Sequence, residues 1–376
     1  MTHQTRRRIS ALARRVPEGP ASRLLAMIIG HLDLDAFFAA VEELEDPSLK
    51  TKPLVVGGDP HGRGVVATAN YVARKFGIHS AMSCAEALRR CPQTVFVQAR
   101  HSLYREYSQH VWETVRGVVP TVERTGLDEG YLDIGEVADT FLEARKIGEA
   151  VQTAVRAATS LTCALGISTS KVVAKIGSDH RKPGGLTVVP GGQEASFLAP
   201  FDVRRLPGVG PKAEERLVAA GVATIGALAA LGDIELRNVL PGSVGRVLHD
   251  RARGIDPRGL EGQTQRISIS VENTFERDLT DRAQLHAELR RMADRLAENL
   301  RETGRTGRTV STKLRYSDFS IRTRSTSLRV GIDEAAKIGE LACALLDRAL
   351  SDRPGALRLV GVGVSGLTTH QQLALV

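Results

Sequence analysis

"HLDLDAFFAAVEE" runs from His31 to Glu43, directly after the apolar stretch "LLAMII". The apolar run reads as a buried strand, so Asp33 and Asp35 fall where a core strand is still covered. A carboxylate taken out of water needs a partner, which separates this pair from an ordinary solvated turn. A second acidic cluster, "GLDEGYLDI", sets Asp128 and Glu129 inside another apolar stretch. Neighbours on a strand face opposite ways, so these two serve one site only if the backbone turns there. Gly126 and Gly130 flank the pair and permit that turn. Carboxylates converging from two strands repel at low dielectric, and hard divalent cations such as Mg²⁺ resolve the conflict. Unrelated surface acids at strand ends are the competing reading for either motif alone.

The bounds set by composition agree with an intracellular, polyanion-binding protein. At 376 residues the chain is too long for one core and implies roughly two to four domains. Its formal net charge of +8 suits a phosphate-rich partner, because Lys and Arg gain affinity by releasing counterions. Cys84, Cys91, Cys163 and Cys343 are scattered without metal or disulfide spacing, which points to a reducing cytoplasm. No apolar run approaches the roughly 18 to 20 residues of a membrane helix, and Leu24–Ile29 is too short for a secretory core.

Along the chain, residues 1–23 form an Arg-rich arm with Pro17, Gly19 and Pro20, expected to be mobile, and Met27 is an alternative start. From Ile28 to about Pro190, strands alternate with helical stretches, an α/β or α+β pattern. Residues 191–255 turn helical and Gly-punctuated, 256–265 ("DPRGLEGQTQ") read as a linker, and 266–368 read as a small α+β domain. Within that last domain, Lys313 and Arg315 alternate with Val310, Leu314 and Tyr316, and Arg322 and Arg324 alternate with Ile321. Period-two alternation is expected to place these charges on one sheet face and the apolar residues on the other, and the short "SDFS" loop should set the basic rows side by side. Between Arg301 and Arg329 the acids are Glu302 and Asp318 alone, so the expected face is a basic groove following phosphates. "PGVG" (Pro207–Gly210), ahead of an amphipathic helix, reads as a helix-hairpin-helix offering backbone N–H groups of Gly208 and Gly210, with Lys212, to phosphate. "GVGVSG" (Gly361–Gly366) fits a dinucleotide fingerprint formally, but no helix can follow it in ten residues.

Four motifs in order, "DLDAFFAAVEE", "ATANYVARKFGIHSAM", "LDEGYLD" and "GISTSKVVAKIGSDHRKPGGLTVV", resemble the Y-family translesion DNA polymerases of the bacterial DNA polymerase IV type. The resemblance covers about Ile28 to Leu367 and implies an α+β multidomain right-hand polymerase. Its parts would be a palm (24–36 and 102–190), small fingers (37–101), a helical thumb (191–255) and a C-terminal little finger (266–368). It further implies low-fidelity extension of a primer 3′ end on damaged templates, without proofreading, by a monomer using primer-template DNA and deoxynucleoside triphosphates. Two Mg²⁺ ions would bind Asp33 and Asp128, with the Leu34 carbonyl as a further ligand and Glu129 completing the primer-side site. Roughly 3.5 to 4 Å apart, such ions can activate an attacking hydroxyl and stabilise the leaving pyrophosphate. Asp35 matches the motif without being a usual ligand, and supports the strand end.

Tyr71 and Arg74 lie one helical turn apart and reach the same ligand if a helix starts near Asn70. The resemblance makes Thr68, Tyr71, Arg74 and Lys175 the triphosphate contacts, and Val65, Ala67 and Ala81 the roof over the nascent base pair. Core filler is the bland reading of those three small residues. Phe37 and Phe38, taken as successive strand residues, face opposite ways, so at most one joins the core. Phe38 is then the steric gate by resemblance. Where relatives usually carry Ser and often Ala, this chain has Gly126 and Gly130, which should loosen the turn. The final "QQLALV" (369–376 being the tail) offers Gln372, Leu373 and Leu375 as a sliding-clamp peptide, with Val376 where Phe is usual. Two other classes stand beside this reading: an inert DNA-binding scaffold on the same fold, and a palm-type nucleotidyl cyclase.

Overall fold

The structure, a computed structural model, describes residues 27–260 and 266–369. β1 (Ile29–Leu34) is followed by α1 (Phe37–Glu45), β2 (Leu54–Gly57), β3 (Val66–Ala69), α2 (Tyr71–Arg74), α3 (Cys84–Arg90), β4 (Val95–Val97) and α4 (His101–Arg116). Then come β5 (Val122–Arg124), β6 (Glu129–Asp133), α5 (Phe141–Thr159), β7 (Cys163–Ser168), α6 (Lys171–His180) and β8 (Leu186–Val188). Short helices follow: α7 (Glu194–Leu198), α8 (Pro211–Ala219), α9 (Ile225–Ala229), α10 (Asp233–Val239) and α11 (Ser243–Ala252). The C-terminal part runs β9 (Ser268–Leu279), α12 (Arg282–Glu302), β10 (Arg305–Tyr316), β11 (Ile321–Ile332), α13 (Ala335–Asp352) and β12 (Leu357–Thr369). The described residues divide into two compact units: 27–54, 68–72 and 99–260 in one, 55–67, 73–98 and 266–369 in the other. The block 37–101 is therefore shared between them.

The first unit is organised by a five-stranded sheet in the order β5-β6-β1-β7-β8. Register fixes its two faces. His31 pairs with Tyr131 and Gly166, and Asp33 with Glu129 and Ala164, so these side chains share one face. Leu32 and Leu34, with Leu165 and Ile167, point to the other, where they are buried. Residue 130 faces Trp112 there: a Cβ on Gly130 would lie 2.8 Å from the indole and 2.8 Å from the Glu123 carbonyl. On the acidic face, α6 comes so close to β7 that a Cβ at Gly166 would stand 2.0 Å from the Ala174 carbonyl oxygen. That approach is what brings the α6 side chains down onto the acids. Helices α7 to α11 bury Leu198, Leu217, Ile225, Leu228, Leu236 and Leu248 in a core shared with Val172, Val173 and Ile176 of α6.

The expected linker is anchored at its start. The Asp256 side chain is 2% exposed and held by Arg258 through two bonds, 2.7 Å from Nε and 2.6 Å from Nη2. Leu260 packs against Ile29, Tyr131 and Ala174.

In the second unit, the C-terminal strands form an antiparallel sheet in the order β11-β10-β12-β9. Val310, Leu314 and Tyr316 face α12 and α13 as the alternation predicted, in a core with Leu289, Leu296, Leu346 and Val362. Residues 1–23 and the tail bearing Gln372, Leu373 and Leu375 lie outside the described residues.

Candidate active site and nucleic-acid face

Asp33, one residue before the end of β1, lies directly opposite Glu129, and the Leu34 N–H donates to the Asp128 carbonyl at 2.9 Å. Asp128 sits in the bend before β6, so it is free of strand alternation. The bend is held from behind: the Leu127 carbonyl accepts from Ser108 Oγ at 2.5 Å and from Trp112 Nε1 at 3.1 Å. Neither Gly126 nor Gly130 has a left-handed φ. The turn is therefore not made by glycine freedom, as expected from sequence; Gly130 is needed for the room it leaves Trp112.

Three lysines from α6 and its C-terminal extension meet three acids in a row. Lys171 Nζ lies 2.6 Å from Glu123 Oε2, Lys175 Nζ is bonded to Glu129, and Lys182 Nζ lies 2.8 Å from Asp33 Oδ1. Lys182 also reaches Asp179 at 2.8 Å. The buried His31 ring presents Nε2 toward Glu129 at 3.6 Å, and its Nδ1 lies 2.8 Å from Ser178 Oγ. Burial pushes the Asp33 carboxyl up against the pull of Lys182, and pushes Asp128 up as well. Glu129 goes the other way, held at about 2 by the facing His31 and by Lys175. Burial keeps the His31 imidazole below its ordinary value, against the pull of Glu129.

Among the described residues no three His, Cys, Asp or Glu side chains are gathered as a ready-made metal site. The donor chemistry nevertheless fits a hard divalent cation. Two half-buried carboxylates, Asp33 and Asp128, keep raised pKa values although Lys182 acts on both and Lys175 on Asp128, and they call for more positive charge. Asp35 plays another part. It is 4% exposed and accepts from Thr162 Oγ1 at 2.8 Å, the Gly184 N–H at 2.8 Å and Tyr71 OH at 3.2 Å. That is support of the strand end, as the sequence suggested.

Tyr71 and Arg74 occupy the two ends of α2, in line with the one-turn spacing. Val65, Ala67 and Ala81 are all exposed, which removes the core-filler reading. Phe37 and Phe38 are not strand residues: Ala36, at φ 46°, turns the chain into α1. The burial expected of the pair holds for a helical reason. Phe37 is 1% exposed in the core, while Phe38 is half-buried and stacks on Tyr104. His31, Lys171 and Lys182 were missed from sequence, although "KVVAKIGSDHRK" carries the lysine spacing in plain view. Lys175, expected on a triphosphate, here contacts Glu129.

The C-terminal sheet requires a correction. Register pairs Leu314 with Arg322 and Thr312 with Arg324, so these arginines share the helix-covered side, opposite to Lys313 and Arg315. Arg324 bonds Asp352 of α13 at 2.8 Å. Alternation fixed each strand's faces correctly but not which face of β11 joins which face of β10. The open face instead carries rows of small polar residues: Ser327, Thr309, Ser365 and Ser268 in one, Ser325, Ser311, Gly363 and Ser270 in the next. Lys313 lies in the following row, where it reaches across Gly361 to Glu272 at 2.9 Å. In the helical region, Gly208 takes φ 105° and the turn carbonyls are gripped, Pro207 by Arg251 at 2.9 Å and Val209 by Arg204 at 3.0 Å. Gly210 and Lys212 are exposed beside it.

A sheet with paired acids under a lysine-bearing helix, a helical Gly-hairpin region and a four-stranded C-terminal sheet is the architecture of a right-hand nucleotidyl-transfer enzyme. The impB/mucB/samB family matches residues 32–179, its C-terminal domain 266–375, and a DNA polymerase-iota thumb domain 204–256. The chain is 43% identical to DNA polymerase IV of Streptomyces coelicolor over 92% of its length and 72% of that protein's. It is 40% identical to DNA polymerase IV of Dehalococcoides mccartyi over 89% of its length and 86% of that protein's. A solved Y-family DNA polymerase chimera of Dbh and Dpo4 superposes at a TM-score of 0.84, with 25% identity, covering 92% of this chain and all of that one. An insertion ternary complex of Dbh DNA polymerase gives a TM-score of 0.65 at 25% identity, covering 92% and 100%. The chain belongs to the Y family of DNA polymerases, in its DNA polymerase IV branch. It is a DNA-directed DNA polymerase with palm, fingers, thumb and little finger.

Proposed function

We propose that this polymerase extends primers across damaged template by metal-assisted nucleotidyl transfer, with low fidelity and no proofreading. The observation that carries the reading is the meeting of Asp33, Asp128 and Glu129 at one end of the palm sheet, beside Lys175 and Lys182. Asp33, Asp128 and the Leu34 carbonyl would hold two Mg²⁺ ions, with Glu129 on the primer side. Bound there, such ions would supply charge that lowers the pKa of the primer hydroxyl and offsets charge on the leaving pyrophosphate. Thr68, Tyr71, Arg74 and Lys175 bind the triphosphate of the incoming deoxynucleotide, arginine by paired bonds and lysine as a point charge. The exposed, small Val65, Ala67 and Ala81 roof the nascent pair and leave space for distorted bases. Phe38 excludes a 2′-hydroxyl.

Primer-template DNA is gripped without sequence readout by Gly208, Gly210 and Lys212 of the thumb and by the open little-finger face with Lys313 and Arg315. The polymerase acts as a monomer in the bacterial cytoplasm, and Gln372, Leu373 and Leu375 tether it to a sliding clamp. No helix of the described residues is long and apolar enough to cross a membrane.

Primer extension on intact and lesion-bearing templates, with Mg²⁺ and with a chelator, tests the core of this reading. Mg²⁺-dependent extension past a lesion supports it. Binding without extension would leave a DNA-binding scaffold, and a cyclic nucleotide product would leave a cyclase. Deleting residues 371–376 should remove clamp stimulation and spare basal synthesis; equal stimulation of both forms refutes the tether.

A further inference from the structure

The Phe38 ring is held by an arrangement that reaches beyond the ring itself. Phe38 and Glu42 stand four residues apart on α1, so they lie on one helix face. Tyr104 of α4 touches both. Its ring stacks on Phe38 with centroids 4.2 Å apart and planes at 15°, and its hydroxyl donates to Glu42 Oε1 at 2.5 Å. Glu42 is 3% exposed and is gripped by Arg100 through two bonds, 3.0 Å from Nε and 2.5 Å from Nη2. A charge-assisted fork of this kind fixes position as well as charge. Tyr104 is fully buried, and burial pushes its hydroxyl up to about 12, so it stays a donor throughout the working pH range. His101 closes the side of the stack, 5.9 Å from Phe38 and 82° to it. One face of the Phe38 ring is thus covered by a ring that cannot itself retreat, because its far end is tied to the helix that carries Phe38.

We propose that Tyr104, anchored through Glu42 and Arg100, is a positioning residue for sugar discrimination: it sets how far the Phe38 ring stands toward the incoming sugar. The inference rests on Phe38 being the gate. Without the Tyr104 ring, Phe38 has room to tilt back, and the space opened admits a 2′-hydroxyl. A purely structural tyrosine would slow both substrates alike; a positioning one moves their ratio.

Single-nucleotide insertion kinetics with matched ribo- and deoxynucleoside triphosphates decide it. Phe38→Leu should raise the ribo-to-deoxy ratio of kcat/KM by about tenfold or more, and Tyr104→Leu by about three- to tenfold. Tyr104→Phe keeps the stack and loses the Glu42 bond, and Arg100→Gln loosens the anchor; each should raise the ratio by about two- to threefold. In a Phe38→Leu background, Tyr104→Leu should move the ratio no further, since the ring it positions is gone. An unchanged ratio in Phe38→Leu overturns the gate and the inference together. A shifted ratio in Phe38→Leu with unchanged ratios in the Tyr104 and Arg100 variants overturns the inference alone. If Tyr104→Leu fails to fold, the ratios of Tyr104→Phe and Arg100→Gln still decide between support and refutation.

Discussion

The palm sheet and the little-finger sheet handle charge in opposite ways. On the palm sheet, acids are few and half-buried, and three of them are matched one to one: Glu123 with Lys171, Glu129 with Lys175, Asp33 with Lys182. On the open little-finger face, hydroxyls and glycines fill whole rows, and Lys313 and Arg315 stand among them. Concentrated, covered charge suits a small cationic or anionic ligand whose position matters to within an ångström. Spread charge on a flat hydroxyl-rich sheet suits a long polyanion bound without register. Where charge is covered, each residue has a partner that can be named; where it is spread, the face matters more than any one residue.

The largest effect should come from the concentrated site. Asp128→Ala and Glu129→Ala should each cut primer extension by about 10³-fold, while fluorescence anisotropy shows DNA affinity largely kept. Substantial extension by both variants would mean that the palm acids are structural. The little-finger face is broken differently. Removing charge at Lys313 and Arg315 should flatten the salt dependence of DNA binding by roughly one slope unit per contact, for all sequences alike. The matched pair Arg322→Gln and Arg324→Gln, on the covered side, should change the slope by much less. Equal slopes from the two double variants would show that the face does not decide.

A third change sharpens the palm half. Asp35→Asn puts an amide in place of the buried carboxylate that accepts three hydrogen bonds, and should cost about 1–3 kcal/mol in denaturant unfolding. A variant as stable as the parent would show that the Thr162, Gly184 and Tyr71 contacts are dispensable. The smallest effect belongs to the little-finger hairpin. Ser320 and Arg353 hold the exposed Asp318 carboxyl down at about 2. Its folded pKa lies below the unfolded value, so its contribution is complete above pH 4 or so and fades as pH falls toward about 2. The melting-temperature gap between the parent and Asp318→Asn should be slight at pH 7 and shrink on acidification; a gap that widens in acid reverses the sign and sinks the assignment.

Much of the site was legible in the residues. Asp33, Asp128 and Glu129 stand out because acids inside apolar runs need an explanation, and Asp35 separates from them once its three donors are seen. His31 was not legible, since a histidine in a strand gives no sign that Ser178 and Glu129 lie on either side of its ring. Tyr104 was hidden too, because its partners Phe38 and Glu42 lie some sixty residues away along the chain.

By itself, the sequence determined the alternation within each strand, the helical face of the lysines, the order of the motifs and the family they mark. Those are local properties, set by periods of two and 3.6 residues and by the side chains themselves. The tertiary structure alone decided that Ala36 turns left-handed and puts Phe37 and Phe38 on a helix, and that Gly166 lets α6 press its lysines onto the acids. It also decided that Arg322 and Arg324 lie under the little-finger sheet, not on it. A two-residue period says which side chains of one strand agree with each other; which side they agree on is fixed only by the register of the neighbouring strand and by what covers it.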